Sequence, residues 1–146
     1  MRSSETKLDP SGTSTGGVAA NVVAFGLAAT AGVHAGLVPE HLREAPQLGA
    51  LFVLATGVPL AVAAWVAIRP ADWRAFRSAQ FLITGLVVAY LASRTVGIPV
   101  FQPEVEPVDA LGVSTKAIEI LALLCAFRLG RTPGGRRSPL IQEVPR

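Results

Sequence analysis

The chain has 146 residues, about the length of one ordinary soluble domain. Its composition argues against that class: 51% of the residues are hydrophobic and 16% charged, and the apolar ones fall in long unbroken runs. The net charge is +3, and the single cysteine, Cys125, leaves no intrachain disulfide and no cysteine metal cluster. These features predict an all-α, membrane-embedded protein. Eleven of the thirteen basic residues are Arg in an Ala/Gly/Val/Pro-rich background, the bias of a high-GC bacterial gene, so a multi-pass protein of the inner (plasma) membrane is expected.

Residues 1–16 are polar, rich in Ser, Thr and Gly, and lack helical periodicity, which predicts a disordered tail. A secretory signal needs a basic start followed promptly by a short apolar core and a cleavage site. The first apolar run instead begins at about residue 17 and exceeds twenty residues, so it is expected to be retained.

Four runs are long enough to cross a hydrocarbon layer roughly 30 Å thick. They cover about residues 17–38, 48–68, 79–99 and 109–129, giving a four-helix transmembrane domain over residues 17–129. Pro59 falls inside the second run and predicts a kink there. Pro39 ends the first, and the residues after it predict a short separate interfacial helix. Residues 130–146 hold Pro, Gly and four of the arginines and predict a second, basic disordered tail.

Orientation follows from Lys and Arg in the connections. Arg69, Arg74 and Arg77 crowd the 69–78 connection, and Arg128, Arg131, Arg136, Arg137 and Arg146 crowd the chain's end. The 39–47 connection has Arg43 alone, and the 100–108 connection has no basic residue. Both termini are therefore expected in the cytoplasm. Trp65 and Trp73 flank that same boundary, at the depth where indole rings settle.

Charges inside the spans carry the remaining signal. A charge at the centre of a bilayer helix costs about 2.5–3.5 kcal/mol on insertion scales, so such residues have partners or a task. Glu119 falls near the middle of the fourth span, Lys116 about 4–5 Å outward of it, and Arg94 about 8 Å outward in the third. Lys116 and Glu119 are i,i+3 neighbours, and Tyr90 and Arg94 are i,i+4. The short link between the third and fourth spans makes them antiparallel neighbours, and Arg94 is expected to pair with Glu119. Arg94, Lys116, Glu119 and Tyr90 thus form an expected intramembrane polar network. It either fixes helix register or, in the competing reading, holds Glu119 in a transport path. A carboxylate facing two cations stays ionised, which makes it a poor proton carrier.

A second constellation lies toward the outside. Gly26, Thr30 and His34 stack at i,i+4, and Glu40, His41 and Glu44 follow. Imidazole and carboxylate groups of His34, Glu40, His41 and Glu44 have the chemistry of a Zn²⁺ or Cu²⁺ site, although the spacing matches no established ligand pattern. The local alternative is hydrogen bonding within the helix. Glu104, Glu106 and Asp109 have the chemistry to add oxygen ligands to such a site, but a solvated acidic turn is the expectation. No catalytic triad context, phosphate-binding glycine loop, dinucleotide fingerprint or haem attachment motif is present, so catalysis is not expected.

The run from His34 to His41 (HAGLVPEH), the run from Ser93 to Pro99 (SRTVGIP) and the in-membrane Glu119 together resemble a loosely defined group of uncharacterised four-helix bacterial membrane proteins. The resemblance spans residues 18–128 and implies the four-helix fold without an activity. The expected function is a non-catalytic membrane subunit or accessory protein with a polar cluster in its outer half. The alternative is a small transporter or metal-handling protein using the outer His and Glu residues. Membrane lipid and a membrane-protein partner or second copy are the expected associates, nucleic acid is not, and a divalent transition metal is the one cofactor in question.

Overall fold

The structure is a computed structural model that describes residues 15–99, 101 and 103–130. It contains four helices: α1 (Thr15–Glu44), α2 (Pro46–Ile68), α3 (Trp73–Thr95) and α4 (Ala110–Gly130). All four are long and apolar enough to cross a membrane. The expected disordered tails fall outside the described residues, except that Thr15, Gly16 and Gly130 are helical.

The helix limits differ from expectation at α1 and α3. α1 does not stop at Pro39 but runs on to Glu44, so no separate interfacial helix forms. Proline has a helix-compatible φ and withdraws only one backbone donor, and here it does so within two turns of the end. At 30 residues, α1 is about 45 Å long and overreaches a 30 Å hydrocarbon layer. α2 is helical through the buried Pro59.

α3 starts at Trp73, six residues before the apolar run, because Asp72 caps it. The Asp72 carboxylate accepts the Arg74 backbone N–H at 3.0 Å and the Trp65 indole N–H at 3.2 Å. The same helix ends at Thr95 rather than at residue 99, since Gly97 follows with φ 72°, a conformation that terminates helices.

α1 packs along α2 and α4, α3 packs on α4, and α2 meets α3 less extensively. The bundle has two unlike ends. We call the end holding the α2–α3 turn proximal, and the end holding the α1–α2 and α3–α4 connections distal.

The proximal half contains the apolar core, built from Val23 and Leu27 of α1, Val66 of α2, Phe76 and Ile83 of α3 and Ala126 of α4. Gly26 lets α1 and α4 close on each other, because a Cβ there would meet the Ala122 Cβ at 2.7 Å. The buried Gln80 amide crosses from α3 and donates to the Ala126 carbonyl at 2.8 Å. Large apolar side chains also cover the outside, with Phe25, Ile68 and Phe81 72%, 77% and 79% exposed.

Candidate functional site

Where the core ends, Glu119 begins the polar half. It is 1% exposed and is held from two helices. The Thr30 hydroxyl of α1 donates to its Oε1 at 3.2 Å, and Lys116 Nζ donates to its Oε2 at 2.6 Å. The i,i+3 spacing that predicted the Lys116–Glu119 pair is realised. Thr30 anchors α1 to α4 through this carboxylate, one turn along from the close approach at Gly26.

Arg94 does not reach Glu119. Its guanidinium instead pairs with Glu106 through Nη1 and with Asp109 through Nη2, the latter at 3.0 Å. Two carboxylates of the acidic turn, Glu106 and Asp109, are thus ion-paired with Arg94, while Glu104 and most of the turn stay exposed. Depth explains the exchange: Arg94 lies in the last turn of α3, level with the loop, whereas Glu119 lies more than two turns into α4 and already has Lys116.

The loop is secured independently by the Glu106 backbone N–H, which donates to the Ser93 carbonyl at 3.0 Å. Asp109 also opens α4, its Oδ1 accepting the Gly112 N–H at 2.7 Å. That backbone bond, followed by the Arg94 charge, holds the exposed Asp109 carboxyl below the usual carboxylate range.

Tyr90 joins the two ion-pair groups. The Arg94 guanidinium carbon lies 4.9 Å and Lys116 Nζ 5.4 Å from its ring centroid. Gly112 supplies the room, since a Cβ there would fall 2.8 Å from the ring. Arg94, Lys116, Glu119 and Tyr90 thus lie in two ion-pair groups that meet at the phenol ring, without an Arg94–Glu119 contact.

The α1 residues form a different arrangement. His34 Nδ1 lies 2.8 Å from the Thr30 carbonyl and His41 Nδ1 2.9 Å from the Leu37 carbonyl. A carbonyl only accepts, so each Nδ1 carries hydrogen, and in the neutral ring each Nε2 presents a lone pair. Phe52 of α2 packs against both rings, stacked on His41 at 3.9 Å and tilted to His34 at 5.5 Å. Among the described residues, no three His, Cys, Asp or Glu side chains come close enough to hold a metal ion. Glu40 and Glu44 are exposed and carry no ion pair among the described residues.

Both constellations, Glu119 excepted, line one cavity of about 650 Å³ in the distal half. Its apolar wall includes Leu48, Leu51, Phe52 and Ala55 of α2 and Leu86 and Ala89 of α3. Its polar groups are the two histidines with Glu40 and Glu44 on the α1 side, and Tyr90, Arg94 and Lys116 with the acidic loop on the other. The Tyr90 hydroxyl and Arg94 Nε are buried without a hydrogen-bond partner among the described residues. Phe52 and the pairing role of Glu106 were not foreseen. The only signal for Glu106 was that its loop lies closer in sequence to Arg94 than Glu119 does.

Comparison with protein-family models, curated proteins and solved structures found no match.

Proposed function

We propose that this chain is a multi-pass membrane protein that binds a small ligand in its distal cavity, as a non-catalytic subunit or accessory protein. The cavity is the observation that carries the reading. Its volume of about 650 Å³ falls within the range of small-molecule sites, and it combines apolar walls with a few convergent polar groups. Membrane embedding is supported by the four apolar helices and by the large exposed side chains around them. The arginine distribution supports a distal end outside and a proximal end in the cytoplasm.

Binding is favoured over passage by what lies beneath the cavity. Below Glu119 the bundle is closed by the apolar side chains of Leu27, Ile83 and Ala122, each at most 1% exposed. A solute in the cavity meets a packed floor rather than a continuing polar path. Glu119, tied to Lys116 and Thr30, then serves to fix α1 against α4 and to hold that floor in register.

The test is native mass spectrometry of the full chain released from detergent micelles. A discrete bound mass is expected on the wild type and is expected to disappear in Ala55→Trp, which fills the cavity from α2. A bound mass that survives Ala55→Trp and Ala89→Trp would place the ligand elsewhere.

A further inference from the structure

Charge distinguishes the ligands such a cavity can take. Two cationic and four anionic side chains line it: Arg94 and Lys116 against Glu40, Glu44, Glu106 and Asp109. With both histidines neutral, the lining carries a net charge of −2. The two cations are already engaged, Arg94 by Glu106 and Asp109, and Lys116 by Glu119, which adds a further negative charge just below. Glu40 and Glu44 have no such counter-ion among the described residues. The unspent hydrogen-bonding groups lean the same way: Nε2 of His34 and of His41 and both free carboxylates accept. Against them stand the buried Arg94 Nε–H, the spare Lys116 N–H groups and the Tyr90 hydroxyl, which can also accept.

An anionic ligand would enter a field that is already negative and would meet two cations that each already carry a carboxylate. A cation would find unpaired carboxylates at the α1 rim and apolar side chains of α2 and α3 within. We infer that the ligand is a lipophilic organic cation, an amphipathic amine in chemical class, with its apolar body against α2 and α3 and its charge facing Glu40 and Glu44. This rests on the reading of the cavity as a binding site.

Tetraphenylphosphonium and tetraphenylborate provide a direct test, because they match in size and shape and differ in the sign of their charge. Binding of each to the full chain in a neutral detergent is measured by equilibrium dialysis, with protein-free micelles as the reference. The phosphonium is expected to bind at least about tenfold more tightly than the borate. Glu40→Gln with Glu44→Gln is expected to weaken phosphonium binding about tenfold, as two partly screened charge interactions would, and to leave borate binding no weaker.

Ala55→Trp, or Ala89→Trp should the first variant not fold, is expected to abolish phosphonium binding. Equal or tighter binding of the borate, lost on filling the cavity, would overturn the cation inference and leave the cavity reading intact. Phosphonium binding unchanged by the double Gln variant would also overturn the inference. Binding of both ions that survives cavity filling, or binding of neither, would overturn both readings.

Discussion

Glu119 and Arg94 are both charged residues within otherwise apolar helices, yet their partners make them behave differently. Glu119 depends on Lys116 and Thr30, so removing one member of the ion pair leaves a charge with no counter-ion in a buried setting. Such one-sided losses cost about 3–5 kcal/mol, whereas replacing both partners by apolar groups is often near neutral. Lys116→Met and Glu119→Leu are each expected to destabilise strongly, and the double variant to recover most of the loss. Arg94→Leu combined with Glu119→Leu is expected instead to show much weaker coupling, since the two do not touch and communicate only through Lys116 and Tyr90. Thermal unfolding in detergent measures both cycles; strong coupling between Arg94 and Glu119 would restore the pairing expected from sequence.

Asp109 adds a pH dependence with a definite sign. Its carboxyl titrates below the ordinary range in the folded chain, so its stabilisation is fully present above about pH 4, the unfolded value. It is lost as pH falls from there through the depressed folded value. The difference in unfolding temperature between wild type and Asp109→Asn is therefore expected to be constant from pH 5 to 8 and to shrink below pH 4. A difference that grows on acidification would mean that the carboxylate does not stabilise the start of α4.

At the scale of the element, the α1–α4 crossing depends on Gly26. A methyl group there would overlap the Ala122 Cβ at 2.7 Å, both atoms being fixed close to the backbone. Gly26→Ala is expected to destabilise by about 1–3 kcal/mol through overpacking, and Ala122→Gly to relieve it in the double variant. Gly32→Ala, on the same helix with open space around it, is expected to be neutral or mildly stabilising. Chemical denaturation of the four variants measures this, and a harmless Gly26→Ala would mean the crossing is wider.

The existence of each helix was legible because runs of some twenty apolar residues have few alternatives. The ends were less so, because they depend on single polar contacts outside the apolar period. Asp72 extends α3 backward through a charged segment, and Gly97 cuts it short inside an apolar one. Lys116 and Glu119 could be paired from spacing alone. The partner of Arg94 could not, because choosing between Glu106, Asp109 and Glu119 requires the depth at which α3 ends. The cavity was invisible in sequence, since it follows from where two adjacent helices fail to pack.

The whole molecule is asymmetric along its axis, with a packed apolar half and a half that holds a partly open cavity of apolar walls and a few polar groups. In the proposed orientation the cavity faces outward and the arginine-rich proximal end faces the cytoplasm. Ala55 and Ala63 sample the two halves from a single helix: Ala55 lines the cavity, whereas Ala63 belongs to the core and is 5% exposed. Each is changed to cysteine in a Cys125→Ala background and treated in intact cells with a membrane-impermeant maleimide. Ala55→Cys is expected to be labelled from outside, and Ala63→Cys to resist labelling both before and after the membrane is permeabilised. Labelling of Ala63→Cys, or labelling of Ala55→Cys only after permeabilisation, would contradict a cavity that opens outward above a sealed floor.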